Sequence, residues 1–363
     1  MMGAIDIKAL AEKLRASAGI AAKADIGFAA ERLGLMGAVT PSPTPPHKGE
    51  GPTQPHSLHD LGGTAPRVLL SPAIPVGDDC AALPDGDGYL LFAIEGFINE
   101  FVTADPWFAG WCGVMVNISD VAAMGGRPVA VVDALWANGE ENAAPVLEGM
   151  RAAALTYGMP IVGGHTNIRT DRHQLSVAIL GRAKRLLTSF DARPGDVLIA
   201  AVDHRGRYRE PFNNWEAATD APPARLRGDL EIMPEIAEAG LALAAKDISQ
   251  GGIPGTAIML AECSGVGIEI DVAPIPLPSG VTLDRWLATF PSYGYLLSVA
   301  PENVDAVISR FSARGITAAA IGTVVPGSEV AITDGTARAV IRDYAKTPLL
   351  RLGPAVASRE DAA

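Results

Sequence analysis

In residues 105–128, DPWFAGWCGVMVNISDVAAMGGRP, an apolar helix pattern carries a polar cluster in its middle. Asp105 is placed to cap the helix, and Pro106 fits the first helical position, where a missing N–H costs nothing. Trp107, Trp111, Val114, Met115, Ile118 and Ala122 recur at three- and four-residue steps, which predicts one apolar face lying against a sheet. Gly125, Gly126 and Pro128 end the pattern. The periodicity leaves Asn117, Ser119 and Asp120 unexplained, because an unpaired carboxylate in so apolar a segment is costly to bury. Two readings stay open: a polar face that meets water or backbone donors, or a ligand that meets Asp120.

At 363 residues the chain exceeds one ordinary core, and two domains of usual size are expected. A composition 48% hydrophobic but only 6% aromatic suits an α/β or α+β enzyme with short connections. The formal charge of -12 argues against a general nucleic-acid surface, which needs a basic field to displace phosphate counterions. Small molecules or proteins are the expected partners. No apolar run reaches membrane-spanning length, and the first residues alternate in charge, so the expectation is a soluble cytoplasmic protein with no membrane partner. Cys80, Cys112 and Cys263 are widely spaced among apolar neighbours and read as buried, reduced thiols.

Outward from the central helix, residues 5–34 give two helical patterns, 7–16 and 25–33, joined around Gly19, with Lys23 near the joint. Together they make a helical segment over 1–39. Residues 40–66 turn abruptly to Pro, Ser, Thr, His and Gly, a composition that cannot bury enough apolar area to order itself, and they read as a mobile insertion. Its His47, His56 and His59 lack metal-ligand spacing. Strands are predicted near 68–70 and over 89–94, 129–134 and 175–182, with a helix over 140–157 and a GGHT turn after 161–162. This first domain covers 67–187. A second, over 188–350, begins with a strand at 197–202 and a long polar segment. It continues with a helix at 230–245, a strand–turn–helix–strand run from AAKDISQGGI, a strand at 293–299 and a helix at 301–315. A strand at 317–325 and a hairpin over 329–344 turning at Asp334 and Gly335 complete it. Residues 351–363 form a tail.

Carboxylates recur at strand ends, glycine turns and the helix: Asp78 and Asp79, Glu95, Asp120 and Asp247. Mg²⁺ takes oxygen ligands and commonly bridges a few carboxylates to nucleotide phosphates, so the set as a whole points to such an ion although each acid alone suits a turn or cap. The usual nucleotide and hydrolase motifs are missing: no GxxxxGK[ST], no GxGxxG after a strand, no HExxH, no GxSxG.

GDDCAALP, EGF, VNISDVAAMGGRP, VGGHT, ARPGD and KDISQGGI stand in this order and spacing over roughly residues 67–350. In these motifs the chain resembles the superfamily of aminoimidazole ribonucleotide (AIR) synthase, thiamine-monophosphate kinase, selenophosphate synthetase and the hydrogenase maturation factor HypE. The resemblance implies an α+β, two-domain fold whose N-terminal sheet pairs with that of a second subunit as a dimeric barrel, and a C-terminal α/β domain closing over the site. It implies ATP and Mg²⁺ as cofactors, a homodimer, and phosphorylation of a small-molecule substrate as an end product or an activated intermediate. A HypE-like nucleotide-binding regulatory or maturation protein without rapid turnover is the alternative.

Carried over by motif, Asp78, Asp79, Glu95 and Asp120 would serve as metal acids, with Asp78, Asp79 and Asp120 also facing the nucleotide and Asn117 supporting Asp120. Gly163, Gly164 and Thr166 would approach phosphate. Lys23, His165 and Asp247 would act in chemistry. Three departures bear on this. His165 occupies a position that is acidic in the kinase and AIR synthase branches, and it reads as either a phosphate contact or proton carrier or a hydrogen-bonded turn residue. Gln250 replaces an acid of the kinase-like DxSDG. Lys23 lacks the neighbouring Cys of selenophosphate synthetases. The segment 204–228, with Arg205, Arg207, Arg209, Tyr208 and Trp215, reads either as a surface for an anionic substrate or as a solvated loop.

Overall fold

The computed structural model describes residues 5–33 and 74–352. The insertion read over 40–66, the strand expected near 68–70 and nearly all of the 351–363 tail lie outside the described residues. Three short helices come first, α1 (Ile7–Arg15), α2 (Ala18–Ala22) and α3 (Ala24–Arg32). The expected two-helix pattern is thus corrected. Gly19 lies inside α2 rather than in a joint, because a bare glycine lets that turn sit on the Gln250 carbonyl, 2.1 Å from where a Cβ would be.

The first domain contains β1 (Ala81–Asp85), β2 (Gly88–Phe97), α4 (Asn99–Ala104), α5 (Pro106–Ala123), β3 (Arg127–Asn138), α6 (Glu140–Tyr157), β4 (Ile161–Asn167) and β5 (Arg169–Ala183). Among the described residues these strands form an open sheet in the order β1-β2-β5-β3-β4, antiparallel except for the β3-β4 pair. The GGHT stretch is part of edge strand β4, not a turn. Its backbone pairs with β3, Gly163 opposite Val132 and His165 opposite Ala134.

The second domain runs through β6 (Val197–Val202), β7 (Arg207–Tyr208), β8 (Asn214–Glu216), α7 (Pro223–Leu230), α8 (Ile232–Glu238), β9 (Ala244–Asp247), α9 (Gly252–Ser264) and β10 (Gly267–Asp271). Then come α10 (Leu283–Leu287), β11 (Phe290–Pro291), β12 (Gly294–Val299), α11 (Val304–Ser312), β13 (Thr317–Val325), β14 (Glu329–Thr333) and β15 (Arg338–Asp343). Its main sheet has the order β15-β14-β10-β13-β6-β12-β9, with a small side sheet β11-β8-β7. The single helix expected over 230–245 is instead the end of α7, then α8, then the start of buried strand β9, while Lys246 and Asp247 lie in that strand as expected for AAKD.

Strand β6, VLIAAV, shows why its sequence lacks alternation. Leu198, Ala200 and Val202 enter the core shared with α1 and α9, while Ile199 and Ala201 enter the core under α8 and α11. A strand covered on both faces reads as a continuous apolar run.

The capped start of α5 is as expected, with Asp105 accepting from the Phe108 N–H at 3.4 Å and Pro106 at the first turn. Its environment is not the expected one-sided face. From Phe108 to Ala123 every residue except Ser119 is buried, because the sheet, α6 and the second domain enclose it. Most of α5 packs in the first domain's core, while Ala122 and Ala123 join a second-domain core with Ile236 and Ala237. The helix therefore spans the seam, with Asp120 one turn before the crossing point.

Glycines permit the close α5–α6 approach. A Cβ on Gly110 would lie 2.0 Å from the Val146 carbonyl oxygen, and one on Gly149 1.8 Å from that of Trp107. Gly110→Ala or Gly149→Ala is expected to destabilise the protein by about 1–3 kcal/mol through overpacking. Chemical denaturation would show this as a lowered midpoint; an unchanged midpoint would mean that the helices separate freely.

Candidate active site between the two domains

A cavity of about 310 Å³ opens where the domains meet. Four chain segments bring acids to one end of it. The loop before β1 carries Asp78 and Asp79, β2 carries Glu95, α5 carries Asp120 and the end of β9 carries Asp247. Carboxylate oxygens of Asp79, Asp120 and Asp247 lie within 4.8 Å of one another. Asp120 is 4% exposed and its Oδ2 has no hydrogen-bond partner, so the water-facing reading of the helix is not what the fold provides.

The neighbours of these acids explain the arrangement. Asp78 accepts from the Ser189 N–H and hydroxyl, both at 2.7 Å, which fastens the GDD loop to the segment after β5. Asp79 accepts from the Asp247 N–H at 3.2 Å and is ion-paired with Lys246, a lysine only 4% exposed. Burial acts to lower the Lys246 pKa, but the charges of Asp79, Asp78 and Asp247 outweigh it and the net shift is upward, which keeps the lysine protonated. Burial and the neighbouring Asp247, Glu95 and Asp79 charges push Asp120 well above the usual carboxylate range. Burial also raises Asp247, to about 7, with Asp79 adding to the rise and Lys246 and Lys23 opposing it. Asp78 is raised to about 6, again mainly by burial. Glu95 moves upward for the same reason, against the pull of Lys23.

Of the residues predicted from sequence, Asp78, Asp79, Glu95, Asp120, Asp247 and Lys23 line this cavity together. Within the set the roles divide. Asp247 joins Asp79 and Asp120 in the tight cluster, whereas Asp78 is turned to Ser189. Asn117 does not bond Asp120; its Nδ2 donates to the Gly113 carbonyl at 2.8 Å, one turn back. Gly163, Gly164, His165 and Thr166 are exposed on β4 and outside the cavity lining. Strand register puts His165 beside Trp136 on the outer sheet face, ring centroids 6.2 Å apart, whereas Glu95 and Phe97 face inward.

The arginines of 204–228 are committed elsewhere. Arg205 binds Asp203 and Asp229, Arg207 binds Asp220, and Arg209 binds Asp105 at 2.7 Å. None lines the cavity, yet Phe212, Asn214 and Trp215 from the same segment do. Lys246 and Ser189 were not singled out from sequence. A lysine inside the apolar strand AAKD was the available signal, since it needs an acid to be buried at all.

A hard divalent cation suits these donors. Three carboxylates converge, one buried oxygen lacks any partner, and Lys246 supplies only one positive charge against them.

Two family models match the chain: AIR synthase related protein, N-terminal domain, over residues 77–183, and its C-terminal domain over 193–335. The chain is a mixed α/β, two-domain protein of the AIR synthase type, and it belongs to the AIR synthase-related family. It is 48% identical over 279 residues to an uncharacterized protein of Synechocystis, covering 76% of this chain and 86% of the relative. It is 30% identical over 266 residues to the thiamine-monophosphate kinase of Pyrococcus horikoshii, covering 66% and 82%. The structure of T. maritima PurL complexed with ATP shares its fold, with a TM-score of 0.64 and 20% identity over 76% of this chain. The chain spans 46% of that larger protein. Among the described residues no helix is long and apolar enough to cross a membrane.

The raised carboxyls give a pH signature. With 3.8 as the ordinary value, Asp78 and Asp247 hold protons in the folded chain up to about 6 and about 7 that the unfolded chain has already released. Without a divalent cation, this contribution to stability falls as pH rises through that window. Mg²⁺ competes with those protons, so it is expected to raise the melting temperature more at pH 8 than at pH 5, and to lose the pH 8 effect in Asp120→Asn. Equal shifts at both pH values would contradict the carboxylate site.

Proposed function

We propose that this protein is a Mg²⁺- and ATP-dependent enzyme that phosphorylates a small-molecule substrate, as product or as activated intermediate. The convergence of Asp79, Asp120 and Asp247 at the domain seam, with a partnerless Asp120 oxygen, carries this reading. Those three residues would hold the cation, which when bound neutralises phosphate charge as the phosphoryl group moves. Lys246 holds Asp79 in place from within the protein. Lys23, at the α2–α3 junction on the cavity wall, would bind phosphate oxygens. Asp78 fixes the loop through Ser189 and so sets where Asp79 stands. ATP bound to the PurL relative and the kinase activity of the Pyrococcus relative both support the assignment.

The reading includes a homodimer formed through the open sheet. On its outer face Phe92 lies opposite Leu180, and Ile94 opposite Ala178, which in turn pairs with Val132. Phe92 is 51% and Ile94 64% exposed, an apolar row across several strands that a second copy would cover. His165 and Gly163 stand on that same face, so a second copy would also enclose the GGHT strand.

Asp79→Asn and Asp120→Asn are expected to weaken Mg-ATP binding by more than about tenfold, measured by calorimetry on folded variants. ADP release stimulated by a fraction of a metabolite extract would separate the enzyme from a nucleotide-binding maturation protein; nucleotide binding without it favours the latter. Phe92→Glu with Ile94→Glu is expected to convert a dimer to a folded monomer in sedimentation, and a wild-type monomer would refute the dimer.

A further inference from the structure

The carboxylates occupy one end of the cavity, and the opposite end is built from different chemistry. Helix α5 forms the wall between them. Its Phe108, Cys112, Val116 and Asp120 line the cavity at four-residue steps, with Met115 beside them, a stripe about 18 Å long at the usual helical rise. Around Phe108 the lining is aromatic. Phe101 is the hub, with ring centroids 6.4 Å from Phe97, 6.0 Å from Phe108 and 5.1 Å from Phe212, the last two edge to face. Phe290 completes this wall.

The charge distribution is equally uneven. The charged lining residues are Lys23, Asp78, Asp79, Glu95, Asp120, and the pair Lys246 and Asp247, which act on one another at the carboxylate end. The nearest cation to the aromatic end, Arg209, lies over the Phe108 ring with its guanidinium 4.3 Å from the centroid, and is bound by Asp105. It does not line the cavity. An anion placed among these rings would be desolvated without a free partner, since Arg209 is held by Asp105, and a cation would meet the Arg209 charge, whereas a planar uncharged ring would gain edge and face contacts.

We propose that the aromatic end is a binding subsite for an uncharged planar ring, with the reacting group extending along α5 toward Asp120. The inference deepens the phosphoryl-transfer reading, and rests on it only in assigning the carboxylate end to chemistry. The ring belongs either to the nucleotide base or to the body of the phosphoryl acceptor. Both sources present the same chemistry here.

The test uses the full chain in EDTA, with binding followed by ligand-observed NMR titration. Adenosine and benzyl alcohol are the ring probes, and 1-hexanol is the acyclic control. Binding of adenosine alone names the base as the source, and binding of benzyl alcohol names the acceptor; either supports the subsite, and Phe212→Ala is expected to weaken it by about tenfold. Phe101→Leu, which keeps an apolar side chain at the hub, is expected to weaken it as well. Retention of the Mg²⁺-dependent melting shift at pH 8 shows that either variant is folded with its carboxylates intact. Absence of binding by both ring probes, hexanol binding as tightly as the rings, or undiminished binding in both variants would overturn the proposal. Ring binding that persists when Mg-ATP fails to bind would sink the phosphoryl-transfer reading instead.

Discussion

Several carboxylates held out of water within a few ångströms of one another repel, and the rest of this structure is arranged around that repulsion. Asp79, Asp120 and Asp247 come from a loop, a helix and a strand in two domains, so none can move away without opening the seam. The protein supplies partial compensation through Lys246, whose own burial is tolerable only because the acids surround it. The remaining imbalance adds to the upward carboxyl shifts that burial produces, and it is what a cation would relieve.

Helix α5 is the element that makes this geometry possible. Its glycines let α6 approach closely, its apolar bulk fills the first domain, and its last turn enters the second. A helix enclosed on every side has little freedom to rotate. Asp120 is thereby fixed at the boundary, and the same helix carries the cavity from an acidic end to an aromatic one. The GDD loop is anchored separately by Ser189, which lets Asp79 be placed by the second domain although it belongs to the first.

The polar segment 204–228 shows how a charged composition can mislead. Its arginines neutralise Asp203, Asp229, Asp220 and Asp105 rather than facing the cavity. The segment pairs with β11 in a side sheet, and its contribution to the cavity is Phe212, Asn214 and Trp215.

The sequence by itself determined the alternation of strands and helices, the capped start of α5, several element bounds such as 140–157 and 197–202, and the acids that gather at the seam. These are legible because caps, periodicity and turn residues act over a few neighbouring positions. Tertiary structure decided the rest. It enclosed α5 completely, which local periodicity does not report, and broke the helix expected over 230–245 into the end of α7, α8 and the start of β9, because the sheet edge offered β12 as a partner. It drew GGHT into β4 and set His165 on the outer face, since strand register depends on a partner far along the chain. It also separated Asp78 from the acids it stands beside in sequence. Which carboxylates share a space depends on contacts between distant segments, and no local pattern of residues contains that information.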